Sequence, residues 1–161
     1  MKLESLYDEY GEKLYRYLVF KLGSAHDAED VLQELFCRFS RYRVRWALVR
    51  DPRAFAFRAA KNEVNRWLRK RADRSKVETM MPGWQEVFIM PETEGVESGS
   101  RRALDLLAAL PDEQREVVFL KVYEDLTFRE IASVCGIPAD TAASRYRYAL
   151  AKLRASLENR P

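Results

Sequence analysis

Six polar side chains recur at spacings of three and four along one run of this 161-residue chain: Arg58, Lys61, Asn62, Asn65, Arg66 and Arg69. On a helix that spacing gathers them on one face. Cations track a phosphate backbone, amides read base edges, and aromatic rings stack on unpaired bases. Phe55 projects to the same side, and Trp46 lies just upstream. The stripe reads as a nucleic-acid surface; the plainer alternative is a solubilising basic face with two incidental asparagines. A second set lies near the C-terminus. If Ala142, Tyr146, Ala149 and Leu153 face a core, Ser144 and Arg147 point directly away, flanked by Thr141, Arg145 and Tyr148. An arginine there could pair bidentately with guanine or simply hold a phosphate. A third set, Asp27, Asp30, Gln33 and Glu34 with Glu29, is acidic. By its residues alone it is a solvated face, well placed near a helix N-terminus.

Each set needs an element to carry it. For the C-terminal set the stretch Leu110 to Leu157 supplies one. Thr127-Phe128-Arg129-Glu130 is a capping box, in which the Thr127 hydroxyl accepts from the Glu130 amide and the Glu130 carboxylate reaches back. A short helix then carries Ile131 and Ala132 inward and ends near Cys135. Gly136 supplies a left-handed stop, and Pro138 fits the first turn of the next helix. Helix, tight turn, helix is the pattern of a helix-turn-helix, whose second helix enters a major groove. It is also the pattern of an ordinary helical hairpin. Charge favours the first: acids dominate from Asp105 to Asp140, whereas Arg145, Arg147, Lys152, Arg154 and Arg160 follow against Glu158 alone.

Upstream, Leu3, Leu6, Tyr7, Tyr10, Leu14, Tyr17 and Leu18 recur at helical spacing until Gly23. Ser24 with Asp27 forms a second capping box, and Val31, Leu32, Leu35, Phe36 and Phe39 make the apolar stripe opposite the acidic set. Asp51 and Pro52 are an N-cap followed by a proline at the first helical position. The helix after them buries Phe57, Ala60, Val64, Trp67 and Leu68 behind the basic stripe. From Asp73 to Ser100 periodicity fails; residues 77–100 hold five glutamates and no base, and two prolines and three glycines mark a linker, in which Trp84, Val87, Phe88, Ile89 and Met90 form an apolar knot. The expected fold is all-α: two small helical domains joined by a flexible linker, the C-terminal one a helix-turn-helix. Their expected bounds are 1–72 and 101–161, with the linker at 73–100.

Several function classes lack their residues. Net charge is only +3, but residues 41–76 hold thirteen bases against Asp51, Glu63 and Asp73. Cys37 and Cys135, among apolar neighbours, read as small buried hydrophobes. His26 has no second histidine or Cys-x-x-Cys nearby, so no zinc site is expected. No phosphate loop and no Ser/His/Asp arrangement can be assembled, so neither a cofactor nor an enzyme is expected. With no apolar signal region and no membrane-length apolar run, a cytoplasmic protein without membrane insertion is expected.

The order of these segments resembles an extracytoplasmic-function (ECF) sigma factor, the minimal two-domain type of the sigma-70 family. LYDEYGEKLYRYL with DAEDVLQELFCRF is similar to the opening of the family's second conserved region. DPRAFAFRAAKNEVNRWLRKR resembles the promoter-melting part of that region, and ALPDEQREVVFLKVYEDLTFREIASVCGIPADTAASRYRYALAKLR resembles the fourth region. The resemblance implies a promoter-specificity subunit that binds core RNA polymerase, recognises promoter DNA and assists duplex opening. It turns Asp27, Asp30, Gln33 and Glu34 into polymerase contacts and places Asn62 near a pocket for a flipped base. It also implies that the linker threads toward the polymerase cleft, and it leaves room for an anti-sigma factor among the partners. Where the family usually carries a lysine between the Thr141 and Ser144 positions, this chain has Ala143, and Tyr148 replaces a further common base. The alternatives are a free-standing helix-turn-helix regulator and a sigma-like docking module; a free-standing regulator would need neither the acidic helix nor the asparagine-bearing stripe.

Overall fold

A computed structural model of the chain describes residues 2–41, 47–74, 102 and 105–159. The chain divides into two compact units, Met1–Phe88 and Ile89–Pro161. Among the described residues there are helices and turns and no strand. Trp46 and the apolar knot of the expected linker lie outside the described residues.

The first unit is built from α1 (Leu3–Leu22), α2 (Ala25–Arg41) and α3 (Pro52–Arg74). Each start and stop has a local cause. Gly23 closes α1 at φ 73°, a left-handed value, and its amide donates to Val19 O at 2.8 Å. The Ser24 hydroxyl accepts from the Asp27 amide at 3.2 Å, and Asp51 Oδ1 accepts from the Ala54 amide at 3.0 Å. Leu6, Leu14, Tyr17 and Leu18 of α1, Val31, Leu35 and Phe39 of α2, and Phe57, Ala60 and Val64 of α3 are buried together. Tyr17 meets Phe57 edge-on, centroids 5.6 Å apart.

Two expectations about burial are corrected, at Leu68 and at Cys37, and one ring of the α1 pattern is less covered than its neighbours. Tyr7 is exposed, although its ring rests edge-on against Phe36 at 5.0 Å. Leu68 is exposed although it stands four residues after the buried Val64: α2 meets α3 beyond that point through Trp67, Lys70 and Arg71 instead. Cys37 is exposed too, since it stands four residues after Gln33 and so shares the polar side of α2. The last helix also extends to Arg74, two residues into the segment expected as linker.

The second unit contains α4 (Asp112–Val118), which passes directly into a π-turn at Phe119–Tyr123, then α5 (Phe128–Cys135) and α6 (Ala139–Glu158). Arg115 fastens the chain in front of α4: its guanidinium donates to the carbonyls of Leu107, Ala108 and Leu110 and to Asp112 Oδ1 at 2.8–3.1 Å. Val117, Phe119, Leu120, Leu126, Ile131, Ala142 and Ala149 form the interior. The capping box at Thr127 is complete, with both hydrogen bonds at 3.1 Å. Gly136 turns the chain at φ 67°, and Pro138 stands as the N-cap of α6 rather than inside its first turn.

Two substitutions isolate these local devices. Thr127→Ala should cost about 1 kcal/mol through loss of the cap. Gly136→Ala should cost about 1–2 kcal/mol, from the left-handed backbone alone, because an added Cβ would meet nothing within 4 Å. Urea denaturation followed by circular dichroism checks both, with Thr127→Ser expected to keep most of the cap.

Candidate nucleic-acid interface

α3 turns about 100° per residue, which brings Arg58, Asn62, Asn65 and Arg69 within a sector of roughly 60°. All four are exposed, as is Phe55 at the same side. Lys61 and Arg66 flank that sector on opposite sides and are half-buried. The six residues expected to form one stripe thus occupy one face, with two at its margins. Phe55 leans on the buried Phe39, centroids 6.2 Å apart, so its ring is anchored below while its outer side meets solvent.

The acidic set lies on another face of the same unit. Asp30, Gln33 and Glu34 are exposed on α2. Asp27 differs: its Oδ2 lies 3.5 Å from Arg71 Nη1, and the Arg71 guanidinium in turn stacks over Trp67 at 5.0 Å. Asp27 therefore joins the start of α2 to the end of α3. Beside Gln33 a groove of about 1020 Å³ opens between α1 and α2, lined by Tyr7, Gly11, Phe36 and Cys37 among others.

In the second unit Ala142 and Ala149 are fully buried. Tyr146 and Leu153 pack on the cluster of Leu110, Val118 and Ala149. Arg147 and Tyr148 are exposed on the far side, and Arg147 Nη2 donates to Ser144 Oγ at 3.2 Å. Thr141 and Ser144 are half-buried. Arg145 leans the other way, toward α4, where its Nη2 is 3.5 Å from Glu113 Oε2. Of the two arginines considered for DNA contact, Arg147 is presented outward and Arg145 is tethered within the unit.

Sequence reasoning passed over one residue of consequence. Glu63 sits inside the basic run yet is buried, with Oε1 2.6 Å from Arg38 Nε and 3.2 Å from Arg66 Nη1. The available signal was its isolation: between Asp51 and Asp73 it is the sole acid. Asp30, Glu34, Arg38, Arg66, Trp67 and Lys70 line a crevice of about 110 Å³ around it. Among the described residues no group of three or more His, Cys, Asp or Glu side chains could hold a metal.

Two family models match the chain: Sigma-70 region 2 over residues 6–74, and Sigma-70, region 4 over residues 100–153. Over 160 residues the sequence is 33% identical to the ECF RNA polymerase sigma factor SigL of Mycobacterium tuberculosis, covering 97% of this chain and 89% of that one. It is 26% identical to the ECF RNA polymerase sigma factor SigW of Bacillus subtilis, covering 94% and 87%. Among solved structures, the sigma factor RpoE of Bartonella quintana, captured with the anti-sigma factor NepR, aligns with a TM-score of 0.66 at 20% identity, over 98% of this chain and 99% of that one. CnrH, captured with the cytosolic domain of CnrY, aligns with a TM-score of 0.60 at 22% identity, over 99% and 89%. At those identities the two structures bear on the fold.

Burial raises the Glu63 carboxyl above its ordinary value of 4.5, and the charge of Arg38 opposes the rise. The folded protein then holds this proton more tightly than the unfolded chain does. Protonation of Glu63 adds stability that is complete below pH 4.5 and is lost as pH rises through the folded value. The unfolding free energy of the parent, minus that of Glu63→Gln, should therefore grow on acidification from neutrality, as measured by urea titrations at several pH values. A flat difference contradicts the raised value.

Proposed function

The chain belongs to the ECF group of the sigma-70 family of RNA polymerase sigma factors, and we propose that its two units divide the work of such a factor among the faces described above. α2 offers Asp30, Gln33 and Glu34, with Asp27 at the margin, to core RNA polymerase. α3 offers Arg58, Lys61, Asn62, Asn65, Arg66 and Arg69 to the promoter as its strands part, with Asn62 nearest the middle of the stripe. α6 offers Thr141, Ser144, Arg145, Arg147 and Tyr148 to the upstream element. The observation that carries this reading is the separation of faces in the first unit: amides and cations share one exposed sector of α3, while exposed acids occupy α2. A free-standing regulator would have no use for that second face.

The chain acts in this reading as a transcription initiation factor rather than an enzyme, and it works in the cytoplasm beside core polymerase. In support, no helix among the described residues is long and apolar enough to cross a membrane. An anti-sigma factor is a further partner, in keeping with the complexes in which the two similar folds were captured. Residues 1–72 form the polymerase-binding and melting domain, 73–100 the linker and 101–161 the upstream-reading domain. Run-off transcription with purified core polymerase tests the whole: promoter-dependent transcripts are expected only when this chain is added. Tight, specific duplex binding without core would favour the free-standing regulator.

The docking face predicts its own failure. Asp30→Arg with Glu34→Arg places like charges against a basic partner surface, which costs several kcal/mol at an interface. On a merely solvated helix the same changes stay within about 0.5 kcal/mol of neutral. Co-purification with core should drop sharply in the double variant while its thermal unfolding is little changed.

The two arginines of α6 separate by specificity. Arg147→Ala should cost about 1–3 kcal/mol on the best promoter and flatten preference at one base pair. Arg145→Ala should weaken all promoters alike and reduce the salt slope by about one phosphate's worth of counterion. The tether to Glu113 makes the second effect the smaller. Transcription from promoter variants at two salt concentrations distinguishes them.

A further inference from the structure

Four charges of alternating sign run across the contact between α2 and α3. Arg38 Nε lies 3.8 Å from Glu34 Oε1 and 2.6 Å from Glu63 Oε1. That same Glu63 oxygen lies 3.2 Å from Arg66 Nη1. One nitrogen thus stands between two carboxylates, and one oxygen stands between two guanidiniums. Only Glu63 is dry: the side chains of Glu34, Arg38 and Arg66 are 55%, 35% and 42% exposed, that of Glu63 8%. The two wet ends lie on the two faces to which separate tasks have been assigned.

We infer that Arg38 and Glu63 form a positioning relay which keeps Arg66 turned toward Glu63 until a basic group on a docked partner engages Glu34. The relay rests on the reading of α2 as the docking face and α3 as the strand-binding face. Arg38 has one charge and two claimants. A cation brought against Glu34 cancels part of that residue's pull, so the charge of Arg38, already 2.6 Å from Glu63, is left to Glu63 alone. With its charge better met, Glu63 loosens its hold on Arg66, which is then free to reach a phosphate. No covalent bond changes and no proton moves. Charges around a buried carboxylate are screened less than those at the surface, so Glu63 is where a change at one end is passed on.

A static network that only packs α2 against α3 would look the same at rest, but it would give additive effects on DNA binding. Double-mutant cycles distinguish the two. The full chain is titrated with a fluorescently labelled single-stranded DNA oligonucleotide at a series of low salt concentrations, and the slope of log affinity against log salt is read. Glu34→Gln imitates the engaged state. It should steepen the slope by about 0.7, the increment for one more phosphate contact on a single strand. Glu29→Gln removes an equal charge from the same helix outside the chain of contacts and should leave the slope unchanged.

In an Arg66→Gln background the effect of Glu34→Gln should vanish. In Glu63→Gln the slope should already be steep, with nothing added by Glu34→Gln. Because Glu63→Gln alters a buried site, Arg38→Gln gives a second route: there Glu34→Gln should again do nothing, while the slope stays as shallow as in the parent. If Glu34→Gln acts equally with and without Arg66, or Glu29→Gln acts as strongly, the gain is long-range charge and the relay is wrong. If Arg66→Gln changes the slope in none of these proteins, Arg66 does not meet DNA and the relay is wrong, while Arg58, Asn62, Asn65 and Arg69 still stand as the strand-binding sector.

Discussion

α1 is buried nearly all round from Tyr17 to Phe20, whereas α2 and α3 each bury a single stripe, and that limit shapes the first unit. A small domain hides a modest fraction of its surface, so most of those two helices must remain wet. α3 commits Phe57, Ala60 and Val64 to the interior. Its opposite side is then available for cations and amides at no cost to packing. α2 makes the same division with Val31, Leu35 and Phe39 inside and acids outside. Opposite charge on two faces of one small body follows from this geometry, since each face belongs to a different helix. The α2–α3 contact is where the two charge fields meet, and it is there that Glu63, Arg38 and Arg66 are found.

The second unit obeys another constraint, the sharp turn between α5 and α6. A complete capping box fixes where α5 begins, and a left-handed glycine fixes where it ends. With only eight residues between those signals, the orientation of α6 depends on few torsions. Burial of Ala142 and Ala149 then sets its rotation, which decides that Arg147 looks outward while Arg145 meets Glu113. The small size of those two alanines lets α6 approach closely, with Tyr146 and Leu153 filling the sides.

What could be seen from the residues alone was what local rules govern. Thr127, Glu130, Gly136, Gly23 and Asp51 act within a turn of themselves, and each behaves as its type and neighbours require. Helical faces were legible for the same reason. Burial was less so at Leu68, because exposure depends on which side of α3 its neighbours cover, and at Cys37, whose apolar neighbours lie on the other side of the helix. Contacts between distant residues were not visible at all. Nothing in the spacing of Arg38 and Glu63, or of Asp27 and Arg71, announces that they meet. Sequence patterning assigns residues to faces; which faces press together, and with which charges trapped between them, is decided by packing.

Arg115 has a mechanical side. One guanidinium holds three carbonyls within four residues ahead of α4, together with an aspartate at its first turn. A pull arriving along the backbone from the N-terminal direction meets this clasp before it reaches the helix. Load is shared among several hydrogen bonds anchored at one side chain, instead of peeling the backbone residue by residue. The entry segment and α4 therefore behave as a single rigid fitting, and a tug at one is felt as displacement of the other.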